Sequence, residues 1–209
     1  MRSIVVGWFG VMLFALNSMA QVNLGIGAGL NFGELGDINI QDVQTTYEQS
    51  TGYHVGAFLD IGLGMMALRP GVYYLNAGPL FKGATFLQAN QLPDDFDVIY
   101  ISVPVDLRLQ VPLPLVKPYL FGGPELRYYV EGNEPEELKD DMQGQLILGN
   151  VGVGVQVHIP LLGLSLYPEA RYAFGVSGVT QQTIDIGDEV YEVEKQTFKS
   201  FMIRLGVGW

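Results

Sequence analysis

The sequence predicts an all-β protein, an eight-stranded antiparallel up-and-down barrel. Three observations predict it: apolar residues recur at every second position in segment after segment, the connections between those segments alternate between long and short, and most of the charge sits in the long ones. A period of two places alternate side chains on opposite faces of a strand. After residue 20 there is no sustained 3.6-residue apolar period and no apolar run of 18 residues, so helical membrane spans are not expected. The 209 residues, 48% hydrophobic and 16% charged, fit one folded domain rather than a disordered chain.

The elements follow in order. Arg2, the apolar run Ile4 to Leu16 and the segment Asn17, Ser18, Met19, Ala20 have the layout of a secretory signal peptide with small residues before a cut at Gln21. Thirteen apolar residues fall short of the roughly 20 that a spanning helix needs. The expected organisation is therefore a signal peptide at 1–20 and a barrel domain at 21–209. The first strand, 22–33, alternates Val22, Leu24, Ile26, Ala28, Leu30 and Phe32 with Asn and Gly. The others are expected at 52–63, 68–78, 98–110, 117–130, 145–159, 164–177 and 197–209. Five prolines fall inside them, Pro70, Pro104, Pro118, Pro124 and Pro168. A closed barrel has no free edge to accommodate a missing N–H, so bulges are expected beside them.

The connections hold 18, 4, 19, 6, 14, 4 and 19 residues in turn, so the long ones gather at one rim and the short ones at the other. Of 22 acidic residues, 18 lie in the four long connections and none in the three short turns. The remaining four, Asp60, Asp106, Glu125 and Glu169, share the polar strand face with Arg69, Arg108, Arg127, Arg171 and Arg204. That face is otherwise mostly Gly, Asn, Ser and Tyr, which suits a packed lumen and not the Lys- and Glu-rich exterior of a soluble lipocalin-like barrel. The opposite face is aliphatic, with Tyr53, Tyr74, Tyr128, Tyr172 and Trp209 toward strand ends, as a membrane-facing girdle requires. The expected class is thus a transmembrane barrel of the outer-membrane type, with outer-membrane lipid around it and acidic extracellular loops. The nine charged residues are the candidate lumen network.

Three segments carry a resemblance. Tyr100-Ile-Ser-Val-Pro-Val-Asp-Leu-Arg-Leu, Lys117-Pro-Tyr-Leu-Phe-Gly-Gly-Pro-Glu-Leu-Arg-Tyr and Pro168-Glu-Ala-Arg-Tyr-Ala-Phe-Gly resemble the PorT-like "porin family" outer-membrane β-barrel domain. The resemblance covers essentially all of 21–209. It implies fold and location, and much less about activity. The last strand, with Phe201, Ile203, Leu205, Val207 and Trp209 on one face, resembles the aromatic-ended signal read by the outer-membrane assembly machinery.

Composition excludes several chemistries. A net charge of −11 argues against nucleic-acid binding, and zero Cys removes disulfides, thiolate zinc sites and cysteine nucleophiles. His54 and His158 fall at opposite rims and cannot share a metal. His54 with Ser50 or Asp42 is the one arrangement suited to hydrolysis, and a histidine hydrogen-bonded within the lumen is the plainer reading. The Gly62 to Ala67 segment joins two strands and opens no helix, so it is a turn and not a dinucleotide loop. The third long connection lacks EF-hand spacing. No enzyme activity, cofactor or metal is expected. The expected function is a structural or interaction role for a barrel with a filled lumen, with a narrow channel for small solutes or ions as the alternative. In the last long connection, Thr183 to Ile186 and Glu189 to Val193 flank Gly187-Asp188, a pair suited to a tight hairpin turn. Ile184, Ile186, Gly187, Asp188, Val190 and Val193 of that hairpin are the candidate site for an extracellular protein partner.

Overall fold

The computed structural model describes residues 21–35, 38–40, 43–45, 49–80, 82, 96–130, 144–178, 183–186, 189–192 and 197–209. In chain order the strands are β1 (Gln21–Leu35), β2 (Ile38–Ile40), β3 (Val43–Thr45), β4 (Ser50–Leu63), β5 (Met66–Asn76) and β6 (Ile99–Gln110). They continue as β7 (Val116–Val130), β8 (Gln145–Ile159), β9 (Leu164–Gly178), β10 (Thr183–Ile186), β11 (Glu189–Glu192) and β12 (Thr197–Gly208). Eight of them close into one barrel in the order β1, β12, β9, β8, β7, β6, β5, β4. Every neighbouring pair is antiparallel, and closure leaves no barrel edge unpaired. The eight barrel strands begin and end within two residues of their sequence-predicted limits. The predicted signal peptide, 1–20, lies outside the described residues.

Parity decides which side each residue takes. Val22, Leu24, Ile26 and Leu30 are exposed on β1, as are Val151 and Val153 on β8 and Phe201, Ile203 and Leu205 on β12. Their neighbours in sequence turn inward and are buried or half-buried. A soluble fold would reverse this, so the exposed aliphatic belt marks a hydrocarbon-facing wall. At the short-turn rim, Gly64 and Gly163 have φ of 74° and 63°, left-handed values that glycine adopts without a Cβ clash.

The prolines do not produce the expected bulges. Phe58 faces Gly71 and Ile61 faces Leu68, so register is the same on both sides of Pro70. The same continuity holds across Pro104, Pro124 and Pro168. In each case two residue pairs drop out of the ladder with one neighbour while the other neighbour keeps its pairing. The cause is local: in an antiparallel ladder a residue's N–H and C=O point to the same neighbour, so a missing N–H weakens one side only. Pro118 sits near the start of β7, where it pairs with Val155 and its carbonyl accepts from Val111 N–H. A shift in register does occur elsewhere, between Thr197 and Lys199 of β12 against β9.

Candidate functional site

Inward parity on eight strands brings the polar residues into one lumen. Asp60, Arg69, Asp106, Arg108, Glu125, Arg127, Glu169, Arg171 and Arg204 are all buried there. They sort into two clusters and one residue apart. In the first cluster Asp60 Oδ2 accepts from Arg108 Nη1 at 2.5 Å and from Arg69 Nη2 at 3.2 Å. Arg69 Nη1 also donates to Glu169 Oε1, which accepts the Tyr119 hydroxyl at 2.6 Å. In the second, Arg171 donates through both Nη atoms to Asp106 and through Nη1 to Asn150 Oδ1 at 2.9 Å. Glu125 Oε1 accepts from Arg127 Nε at 2.6 Å and from the Ser102 hydroxyl at 2.8 Å. Glu125 Oε2 lies 4.0 Å from Arg171 Nη1, which ties the second cluster together. Arg204 makes no ion pair among the described residues, and its Nε donates to His54 Nε2 at 3.1 Å.

Aromatic rings fill the space that the ion pairs leave. Arg69 lies 4.4 Å from the centroids of both Phe58 and Tyr167, Arg108 lies 3.7 Å from Tyr119, and Arg204 lies 3.8 Å from Tyr73. Arg171 packs on Phe121 at 4.7 Å and Arg127 on Phe198 at 4.8 Å. All five guanidinium groups therefore sit over rings, an arrangement whose attraction strengthens away from water. The rings need glycine opposite them. A Cβ at Gly154 would overlap Tyr119, and one at Gly25 would overlap Phe58.

The sequence reading missed a second obstruction. Leu80 and Phe96, from the long connection after β5, are buried with Leu75, Tyr100, Leu148 and Phe198 toward the long-loop rim. Leu80 and Phe198 both approach within 3.3 Å of where a Gly33 Cβ would stand, so Leu80 packs into the mouth of the barrel. Backbone bonds from Ala77 N–H to Val98 O and from Val98 N–H to Gly78 O hold its two ends together. Strand parity could have found Leu75, Tyr100, Leu148 and Phe198, but a connection has no period from which to read Leu80 or Phe96.

Other sequence-predicted residues fall as follows. Ser50 donates to the carbonyl of Ala77 at 2.8 Å while His54 is engaged with Arg204, so the two form no hydrolytic pair, and Asp42 lies outside the described residues. His158 Nδ1 is 3.2 Å from Ser165 Oγ at the short-turn rim. Among the described residues, no group of three or more His, Asp or Glu could hold a metal ion. Phe201, Ile203, Leu205, Val207 and Trp209 form the outward row of the last strand, and Trp209 exchanges backbone bonds with Leu24 of β1. In the last long connection β10 pairs with β11, with Ile184 opposite Tyr191, Val190 opposite Asp185 and Ile186 opposite Glu189. Gly187, Asp188 and Val193 lie outside the described residues.

No curated protein matches the chain. Among solved structures, Neisserial surface protein A is similar at 14% identity over 88% of this chain and 95% of its own, with a TM-score of 0.50, a likeness of fold. A major outer membrane protein from Thermus thermophilus is 15% identical over 90% of this chain and 98% of its own, with a TM-score of 0.45. The attachment invasion locus protein of Yersinia pestis is 10% identical over 90% of this chain and 99% of its own, with a TM-score of 0.43. The family described as "Outer membrane protein beta-barrel domain" matches residues 14–181, and the chain belongs to that family as an eight-stranded barrel of the outer membrane.

Proposed function

We propose that this barrel is a non-enzymatic scaffold with a filled lumen, which anchors acidic extracellular loops in the outer membrane and acts through them. The observation that carries the reading is the lumen. Five arginines, each packed on a ring, and four carboxylates occupy an eight-stranded interior that is only just wide enough for side chains. Leu80 packs beside Phe198 at its outer mouth. Concentrating 18 of 22 acidic residues in the long connections supports a role exercised outside the membrane. The motifs in β6, β7 and β9 support assigning the chain to the PorT-like branch of the family. Recognition of an extracellular protein is assigned to the β10–β11 hairpin, whose short ladder offers backbone groups to an added strand.

Planar-bilayer recording on the refolded protein tests this reading. A blocked lumen gives no stable stepwise current of porin size. Regular steps of that size would overturn the filled-lumen reading in favour of an open channel, and smaller regular steps would favour the narrow channel in its place.

A further inference from the structure

The short-turn rim is as apolar as the barrel wall. Leu161 is 93% exposed at the tip of the β8–β9 turn, Leu162 beside it 62%, and Met65 63% in the β4–β5 turn. Leu113 and Leu115 are exposed in the β6–β7 turn, and Trp209 stands at the same end of the barrel. None of the three short turns contains an acidic or basic residue. Turns that end in water ordinarily carry polar residues, and an exposed apolar patch of this kind marks a surface that meets lipid or protein.

Strand length says which. The outward tyrosines Tyr53, Tyr74 and Tyr128 stand toward the long-loop ends of β4, β5 and β7, where a girdle marks the outer boundary of the hydrocarbon. From them to the short-turn ends the chain advances ten residues to Leu63, eight to Met66 and twelve to Val116. Ten residues at about 3.3 Å each, tilted about 40°, rise about 25 Å, which is the height of the apolar band of such barrels. The strands are used up by the time they cross the hydrocarbon. The turn tips therefore begin at its inner boundary and continue the established lipid-facing surface without a polar break.

We infer that the three short turns are seated in the inner leaflet of the outer membrane, their leucine and methionine tips in contact with phospholipid acyl chains. There they take the place that an aromatic girdle holds at the other boundary. In this arrangement the barrel presents no apolar docking face to a soluble periplasmic protein, and its recognition surface is confined to the opposite rim.

Nitroxide accessibility tests the inference directly, and the absence of native Cys means each label has one site. Leu161→Cys, Leu113→Cys and Met65→Cys would be labelled in the full chain refolded into phosphatidylethanolamine and phosphatidylglycerol vesicles. Leu120→Cys on the lipid-facing wall and Gly144→Cys at the long-loop rim serve as references. Power-saturation electron paramagnetic resonance then compares collision with oxygen, which concentrates in lipid, and with a water-soluble nickel chelate. The expected result is an oxygen-dominated ratio at all three turn positions, on the Leu120 side of the scale. A chelate-dominated ratio at any two of them, on the Gly144 side, overturns the inference and makes the rim a surface for a soluble partner. Because all three side chains are exposed, labelling them removes no packing, and the heat-modifiable gel shift of each variant verifies that it folded.

Discussion

Arg108 and Arg204 are both buried in the lumen, yet different partners hold them. Arg108 donates to Asp60, which keeps only the longer bond from Arg69 if Arg108 is lost. Breaking a buried pair from one side typically costs about 3 to 5 kcal/mol, because the remaining charge stays out of water. Arg108→Ala should therefore lower the urea midpoint of the barrel in lipid by a margin of that order. Arg204 has no carboxylate partner among the described residues and packs its guanidinium on Tyr73. Arg204→Met keeps the apolar contact, removes a charge from a lumen with five arginines against four carboxylates, and leaves only His54 Nε2 without its donor. Losing that one bond is expected to cost about 1 to 3 kcal/mol at most, partly offset by removal of the unpaired charge. Equal destabilisation by the two variants in equilibrium unfolding would show that the pairing does not govern lumen stability.

At the scale of elements, the barrel strands and the outer hairpin are separate structures. The barrel ladder tolerates four interior prolines without a change of register, because each neighbour on the far side of the proline keeps its bonds. Among the described residues the β10–β11 hairpin pairs only with itself, over four residues on each strand. Deleting residues 183–193 should leave β9 and β12 paired and the barrel assembling into vesicles, as measured by protease protection and the heat-modifiable gel shift. Failure to assemble would show that the connection is part of the barrel's folding unit. In the intact protein, alternate amides along 183–186 and 189–192, those that point at the opposite strand, should exchange more slowly than those of an open loop, and exchange of every amide there at the open-loop rate would contradict the ladder.

For the whole molecule, charge and apolar surface are divided along the barrel axis. Acidic connections occupy one rim, uncharged apolar turns the other, and the ion pairs lie inside between them. This division was legible because each part follows a rule of sequence: period two for the wall, connection length for the rims, and parity for the lumen. Asp106, Arg108, Glu125 and Arg127 could be assigned to the interior from their positions between Ile101, Val103, Val105, Leu107 and Tyr128 alone.

Sequence alone specified the eight barrel strands, the two faces of each and the set of residues turned inward, since these depend on neighbours one or two positions away, whereas the short β2–β3 pair in the first long connection had no such signal. Which arginine meets which carboxylate was decided only by closure. Arg69 reaches Glu169 across 100 positions of chain and Arg171 reaches Asp106 across 65, and the stagger of the strands around the barrel sets both meetings. Closure likewise turned the Arg204 guanidinium to His54 and the Tyr73 ring, although Glu169 stands opposite Arg204 in the β9–β12 ladder. It also drew Leu80, which follows β5, into the mouth beside Phe198, because buried apolar volume there was open to any segment able to reach it. Alternation encodes a direction, inward or outward, whereas a partner is a matter of distance in the closed barrel, and that distance exists only once the first strand has paired with the last.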